Sequence, residues 1–188
     1  MTTTRLEAFS DGVLAIIITI MVLELKIPEG HDFSSLKPLF PTIITYVLSF
    51  IYIGIYWNNH HHLLHLTKEV NGKILWANLH LLFWLSLLPF ATGYMGENHF
   101  EKIPTAIYGF ILLMASLAWT ILLLTIKYSD KKKSNPFTFL NFKKIIISNI
   151  FYAIATLISF FFPLVAGIIY IGIAVLWFIP NKKIEESI

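Results

Sequence analysis

The sequence predicts an all-α integral membrane protein with six transmembrane helices per subunit, and three observations predict it. Of its 188 residues, 56% are hydrophobic and only 13% are charged, whereas soluble domains carry about 25% charged residues. The mean hydropathy is +0.71. The apolar residues are gathered into runs of about 20, the length needed to cross a hydrocarbon core about 30 Å thick. The chain therefore reads as one six-helix transmembrane domain, 1–188, with spans at about 7–26, 39–60, 75–95, 103–126, 145–162 and 164–179.

Each span has its own punctuation. The first apolar run starts near Glu7 and carries no small-residue cleavage pattern, so it is expected to be retained rather than removed as a signal peptide. It closes at Lys26 and Pro28, because proline cannot continue a helix. The second opens after Lys37-Pro38 and holds Pro41 in its first turn. The third carries Pro89 within SLLPFATG, which predicts a kink relieved by Ser86 or by neighbouring backbone. After the fourth comes the one markedly polar linker, KYSDKKKSNPFTFLNFKK, an expected exposed loop. Residues 145–179 are then apolar throughout. As one helix they would measure about 52 Å, too long for the core, so two spans turning at FFPLVAG are expected.

Charge placement supports an even number of spans. With six, the ends of the chain and the second-to-third and fourth-to-fifth loops share one side. That side holds eleven of the fourteen basic residues, leaving Lys26, Lys37 and Lys102 opposite. The positive-inside rule then places both termini in the cytoplasm. The outer loops carry Glu24, Glu29, Asp32, Glu97 and Glu101. That acidic face would mildly concentrate cations, within the reach of salt screening. The basic pI is thus accounted for by topology, and no nucleic-acid partner is expected. The absence of cysteine excludes disulfides, thiolate metal sites and thiol catalysis.

The first helix carries ionisable groups where a membrane helix seldom has them. Asp11 lies about a turn inside the apolar run, with Ser10 beside it and Arg5 before it. Acidic groups near a helix amino terminus complement the macrodipole and the free N–H groups there, and Arg5 also suits an interfacial anchor. A charge within the bilayer is otherwise costly, usually paired, and a sign of function.

Arg5, three residues, then Phe9-Ser10-Asp11-Gly12 and VLAIIITIMVLELK together resemble the signature that opens the transmembrane protein 175 family of potassium channels. The dense part of the match runs from Arg5 to Leu25. A six-span length and a Trp/Asn/His-rich end to the second helix also resemble its single-repeat bacterial members. The resemblance implies a homotetramer in the plasma membrane of a prokaryote, with the first helix lining a central pore. It further implies that Ile16, Ile20 and Leu23 narrow the conduction path and that Thr19 places a hydroxyl in it. Helical geometry permits this, since the four residues share an arc of about 100° and Asp11 lies about 140° from Ile16. Nothing resembles a TVGYG filter, so selectivity for potassium over sodium would be modest and would arise from dehydration at an aliphatic neck. No enzymatic activity is implied, and no cofactor beyond the permeant potassium ion.

Arg5, Phe9, Ser10 and Asp11 would then form a polar knot that fixes the rotation of the first helix. Candidate partners are Trp57, Asn58, His61 and His65 at the end of the second helix, with Asn78 and His80 near the start of the third. Two other functions compete. WNNHHHLLHL has histidines spaced three and four apart on one helical face, as a metal or haem site would need. No second histidine box accompanies it. A small secondary transporter would show broken helices and midplane charges, and the midplane here is nearly free of charge.

Overall fold

The third apolar run is carried by two helices rather than one. The computed structural model describes residues 2–65, 67, 69–129 and 142–178. Among them are seven α-helices: α1 (Thr3–Leu23), α2 (Phe40–His65), α3 (Gly72–Ser86), α4 (Leu88–Glu97), α5 (Lys102–Ser129), α6 (Phe142–Ile158) and α7 (Pro163–Phe178). A short 3-10 turn, Phe33–Leu39, leads into α2. Most of the polar linker after α5, and the basic residues Lys182 and Lys183, lie outside the described residues.

The breaks follow local chemistry. The hydroxyl of Thr2 accepts the Arg5 N–H at 3.4 Å and starts α1, while Asn71 caps α3 by accepting from the N–H groups of Lys73 and Ile74. The irregularity expected at Pro89 falls at Leu87, a single residue between α3 and α4 that keeps near-helical dihedrals (φ −87°, ψ −9°). Pro89 lies in the first turn of α4, where its missing N–H costs nothing, and the Ser86 hydroxyl donates to the Phe83 carbonyl at 2.7 Å. Between α4 and α5 the chain turns through His99 (φ 50°) and Phe100 (φ 61°), a left-handed conformation that non-glycine residues adopt only when their surroundings enforce it. Pro163 opens α7, again at a position that suits it.

Four stretches are long and apolar enough to cross a membrane: Thr3–Leu23, Phe33–His65, Gly72–Glu97 and Lys102–Ser129. With α6 and the shorter apolar helix α7, which pack against each other, they give the six-span all-α architecture. The core centres on α5, which packs against α3, α4, α6 and α7. Leu112, Ala115, Ala118, Leu122 and Leu123 of α5 are fully buried. Its small residues let neighbours approach closely, as interfaces between membrane helices require. Gly109 leaves the space that the Tyr170 hydroxyl fills: a Cβ there would lie 1.9 Å from it. Gly96 on α4 plays the same part against Thr42 of α2, where an added Cβ would come within 2.5 Å of backbone.

Buried hydroxyls are satisfied locally or across helices. Thr92 donates to Ser49 at 2.7 Å, Ser49 and Tyr108 share a bond of 3.0 Å, and Tyr52 donates to the Tyr170 carbonyl at 2.6 Å. This belt joins α2, α4, α5 and α7. In an apolar medium such bonds are kept because the unmade alternative is costly.

Candidate functional site

Helix α1 stands at the edge of the bundle and packs mainly against α2, α3 and α4. Its inward face repeats at helical spacing through Leu6, Ser10, Leu14, Ile17 and Met21, all buried. The other side is left open. Ile16 is 60% exposed, Ile20 42% and Leu23 75%, and Thr19 is exposed as well. Gly12 lies on that side with no atom within 4 Å of an added Cβ. The Thr19 hydroxyl donates to the Ala15 carbonyl at 2.9 Å, so its proton is engaged while its oxygen lone pairs remain free to accept. The four residues named from the sequence as a lining thus share one open aliphatic stripe with a single hydroxyl in it.

The polar residues of α1 sit at the same end of the helix and meet two different neighbours. Consecutive helices α1 and α2 run antiparallel, so residues ascending α1 face residues descending α2. Trp57 donates its indole N–H to Asp11 at 3.0 Å. One turn further toward that end, Glu7 and the imidazole of His61 are 2.5 Å apart. Both pairs use the i, i+4 spacing of a helical face, Glu7 with Asp11 and Trp57 with His61. The rings of Trp57 and His61 stack with centroids 6.4 Å apart.

Ser10, one position round from Asp11, faces α3 instead. Asn78 donates to the Ser10 hydroxyl at 3.0 Å and shares a bond of 2.7 Å with His60; Ser10 in turn donates to the Leu6 carbonyl at 2.9 Å. All three side chains are buried, Ser10 and Asn78 completely. A chain of bonds that unites three helices in a low dielectric is worth keeping whole, since each unpaired member would cost about 1–3 kcal/mol.

Of the partners named from the sequence, the structure brings Trp57 to Asp11 and Asn78 to Ser10. It places the others elsewhere. His61 meets Glu7, His65 stacks on His61 at 6.4 Å, and His80 accepts the indole N–H of Trp84 at 3.0 Å. Asn58 is exposed, as is Phe9. Arg5 is also exposed, and among the described residues its recorded bond is that of its backbone N–H to Thr2. Two residues of the site were not placed in the polar knot by the sequence. Glu7 precedes Asp11 by one turn, and His60 follows Trp57 by three residues; helical spacing alone would have marked both. Among the described residues no group of three or more His, Asp or Glu side chains is arranged to hold a metal.

Comparison with known proteins gives four results. The family model for the endosomal/lysosomal potassium channel TMEM175 matches residues 5–89, the stretch that contains all but the first two residues of α1, then α2, α3 and the start of α4. A potassium channel from Chryseobacterium sp. is 54% identical over 189 residues, covering 100% of this chain and 98% of that protein. The human endosomal/lysosomal proton channel TMEM175 is 33% identical over 113 residues, covering 53% of this chain and 22% of its own. Among solved structures, a lysosomal potassium-selective channel TMEM175 homolog from Chamaesiphon minutus superposes with a TM-score of 0.79 at 28% identity, over 93% of this chain and 95% of that one.

Proposed function

Because this chain belongs to the TMEM175 family, a family of channels and not of enzymes, we propose that it is a potassium channel whose conduction path is lined by α1. In this reading four copies surround an axis in the plasma membrane of a prokaryote, with the termini cytoplasmic. The observation that carries it is the division of α1 into two sides. One is held by polar bonds and buried apolar side chains; the other presents Ile16, Thr19, Ile20 and Leu23 to the outside of the subunit.

A ring of branched aliphatic side chains makes a neck that dewets when narrow and conducts when wider. Potassium sheds its water at lower cost than sodium, so the neck favours potassium modestly, helped by the Thr19 oxygens. Arg5, Phe9, Ser10 and Asp11 belong to the anchored part of the helix, and the permeant ion is the only small partner required.

The test is single-channel recording in bilayers. Ile16→Asn should hydrate the neck, raise unitary current and weaken discrimination between potassium and sodium. Unchanged current and selectivity in that variant would remove Ile16 from the lining. Slow, saturating flux without unitary events would instead favour a carrier, and chemical cross-linking to a species smaller than a tetramer would end the axial arrangement.

A further inference from the structure

Two indoles line a narrow cleft between α2, α5, α6 and α7, and they are not equally satisfied. The walls include Tyr56 and Asn59 of α2, Ser116 and Trp119 of α5, Tyr152 of α6 and Trp177 of α7. Trp177 donates its N–H to the Ser148 hydroxyl at 2.8 Å. Trp119 is only 4% exposed, and among the described residues its N–H meets no acceptor. An indole N–H can only donate, and a buried donor is costly to leave unpaired.

The other polar groups of the cleft have acceptor capacity to offer. Asn59 donates its amide N–H to the Ile55 carbonyl at 2.7 Å, which leaves its amide oxygen to accept. The hydroxyl oxygens of Tyr56, Ser116 and Tyr152 can accept as well. No acidic or basic side chain is among the residues that line the cleft, so an ion there would be buried without a counter-charge. An apolar guest would leave the Trp119 N–H unpaired. The chemistry selects a small neutral guest that both accepts and donates.

We propose that the cleft is a hydration site, in which one ordered water accepts the Trp119 N–H and donates to acceptors on the facing helices. The cleft has room for a water-sized guest, and it offers the two to four polar partners that a buried water typically needs. The water extends the inter-helix belt by one step. Tyr52 reaches the Tyr170 carbonyl directly; at Tyr56 and Asn59, about one and two turns further along α2, the link to α5 runs through solvent. On its other side α2 holds α1 through Trp57 and His61. The water therefore seats the helix on which α1 is held, whichever helix lines the conduction path.

The experiment is NMR of the full chain in nanodiscs with 15N-labelled tryptophan. There are five tryptophans, and Trp119→Phe assigns the Trp119 indole signal by its loss. The Trp119 N–H should show a cross-relaxation peak to water, with the sign of a long-lived bound molecule. The Trp177 N–H, bonded to Ser148, should show a peak at least several-fold weaker. A high-resolution map of the unmodified chain should show one density within hydrogen-bond reach of Trp119 Nε1 and of a second polar atom of the cleft. No water peak at Trp119, equal peaks at Trp119 and Trp177, or a protein side chain occupying that place in the map would each overturn the site. None of these readouts depends on current through the protein, so failure of the pore reading leaves the hydration site standing, and the reverse.

Discussion

Helices α1 and α5 are nearly matched in hydropathy, yet the subunit buries 28% of the apolar window of α1 and 56% of that of α5. They are also held in different ways. Helix α5 is fixed by shape: fully buried Leu112, Ala115, Ala118, Leu122 and Leu123, and Gly109 under the tip of Tyr170. Helix α1 packs by one face alone, through Leu6, Leu14, Ile17 and Met21, and adds polar bonds from Ser10 to Asn78, Asp11 to Trp57 and Glu7 to His61. A helix wedged by shape has one position. A helix packed on one face and pinned by polar bonds at one end keeps a defined rotation while its other face stays open.

The comparison can be broken at several points. The largest effect is expected at Asn78. Asn78→Ala leaves Ser10 and His60 without their inter-helix partner, at about 1–3 kcal/mol for each buried group. Thermal unfolding in detergent should show a marked loss of stability, and an unchanged midpoint would mean that α1 is held by packing like α5. Next comes Gly109→Ala on α5. The new Cβ would lie 1.9 Å from the Tyr170 hydroxyl and 2.8 Å from Thr156 Oγ1, so overpacking should cost about 1–3 kcal/mol.

The same change on α1 should act with the opposite sign. Gly12→Ala meets nothing within 4 Å in the subunit and should stabilise the helix by up to about 1 kcal/mol. A fall in the unfolding midpoint would place a second chain against Gly12 and so sharpen the assignment of that side to the assembly.

The smallest effect lies outside both helices. The Ser34 hydroxyl, first, and then the Ser35 N–H hold the Asp32 carboxyl below its ordinary value of 3.8. A lowered carboxyl pKa stabilises the folded turn at pH above the unfolded value, and the contribution is lost as pH falls through the folded one. The protection of the Ser35 amide, measured against its intrinsic exchange rate at each pH, should therefore fall in acid, and Asp32→Asn should show little of that pH dependence.

Much of the helical layout was legible in the residues. Proline, lysine and short polar loops punctuate the apolar runs because a backbone in lipid must either stay helical or reach water. Pro89 marked its irregularity, which falls two residues earlier, at Leu87. The partners of α1 were legible only in part. The residues WNNHH supply several side chains at one helix end, and choosing among them needs the rotation of α2 about its axis. That rotation gave His60 to Asn78 and His61 to Glu7, and it left Asn58 exposed.

The amino-acid string by itself determined that the chain lives in a membrane, how many times it crosses, and that its first helix carries a polar signature beside an aliphatic stripe. Those follow from transfer free energy and helical periodicity, both local properties. Which apolar helix becomes the buried post and which keeps an open side was decided by the tertiary structure. Hydropathy measures the preference of a side chain for leaving water. It does not distinguish lipid, a neighbouring helix and another copy of the chain as the place to which it goes.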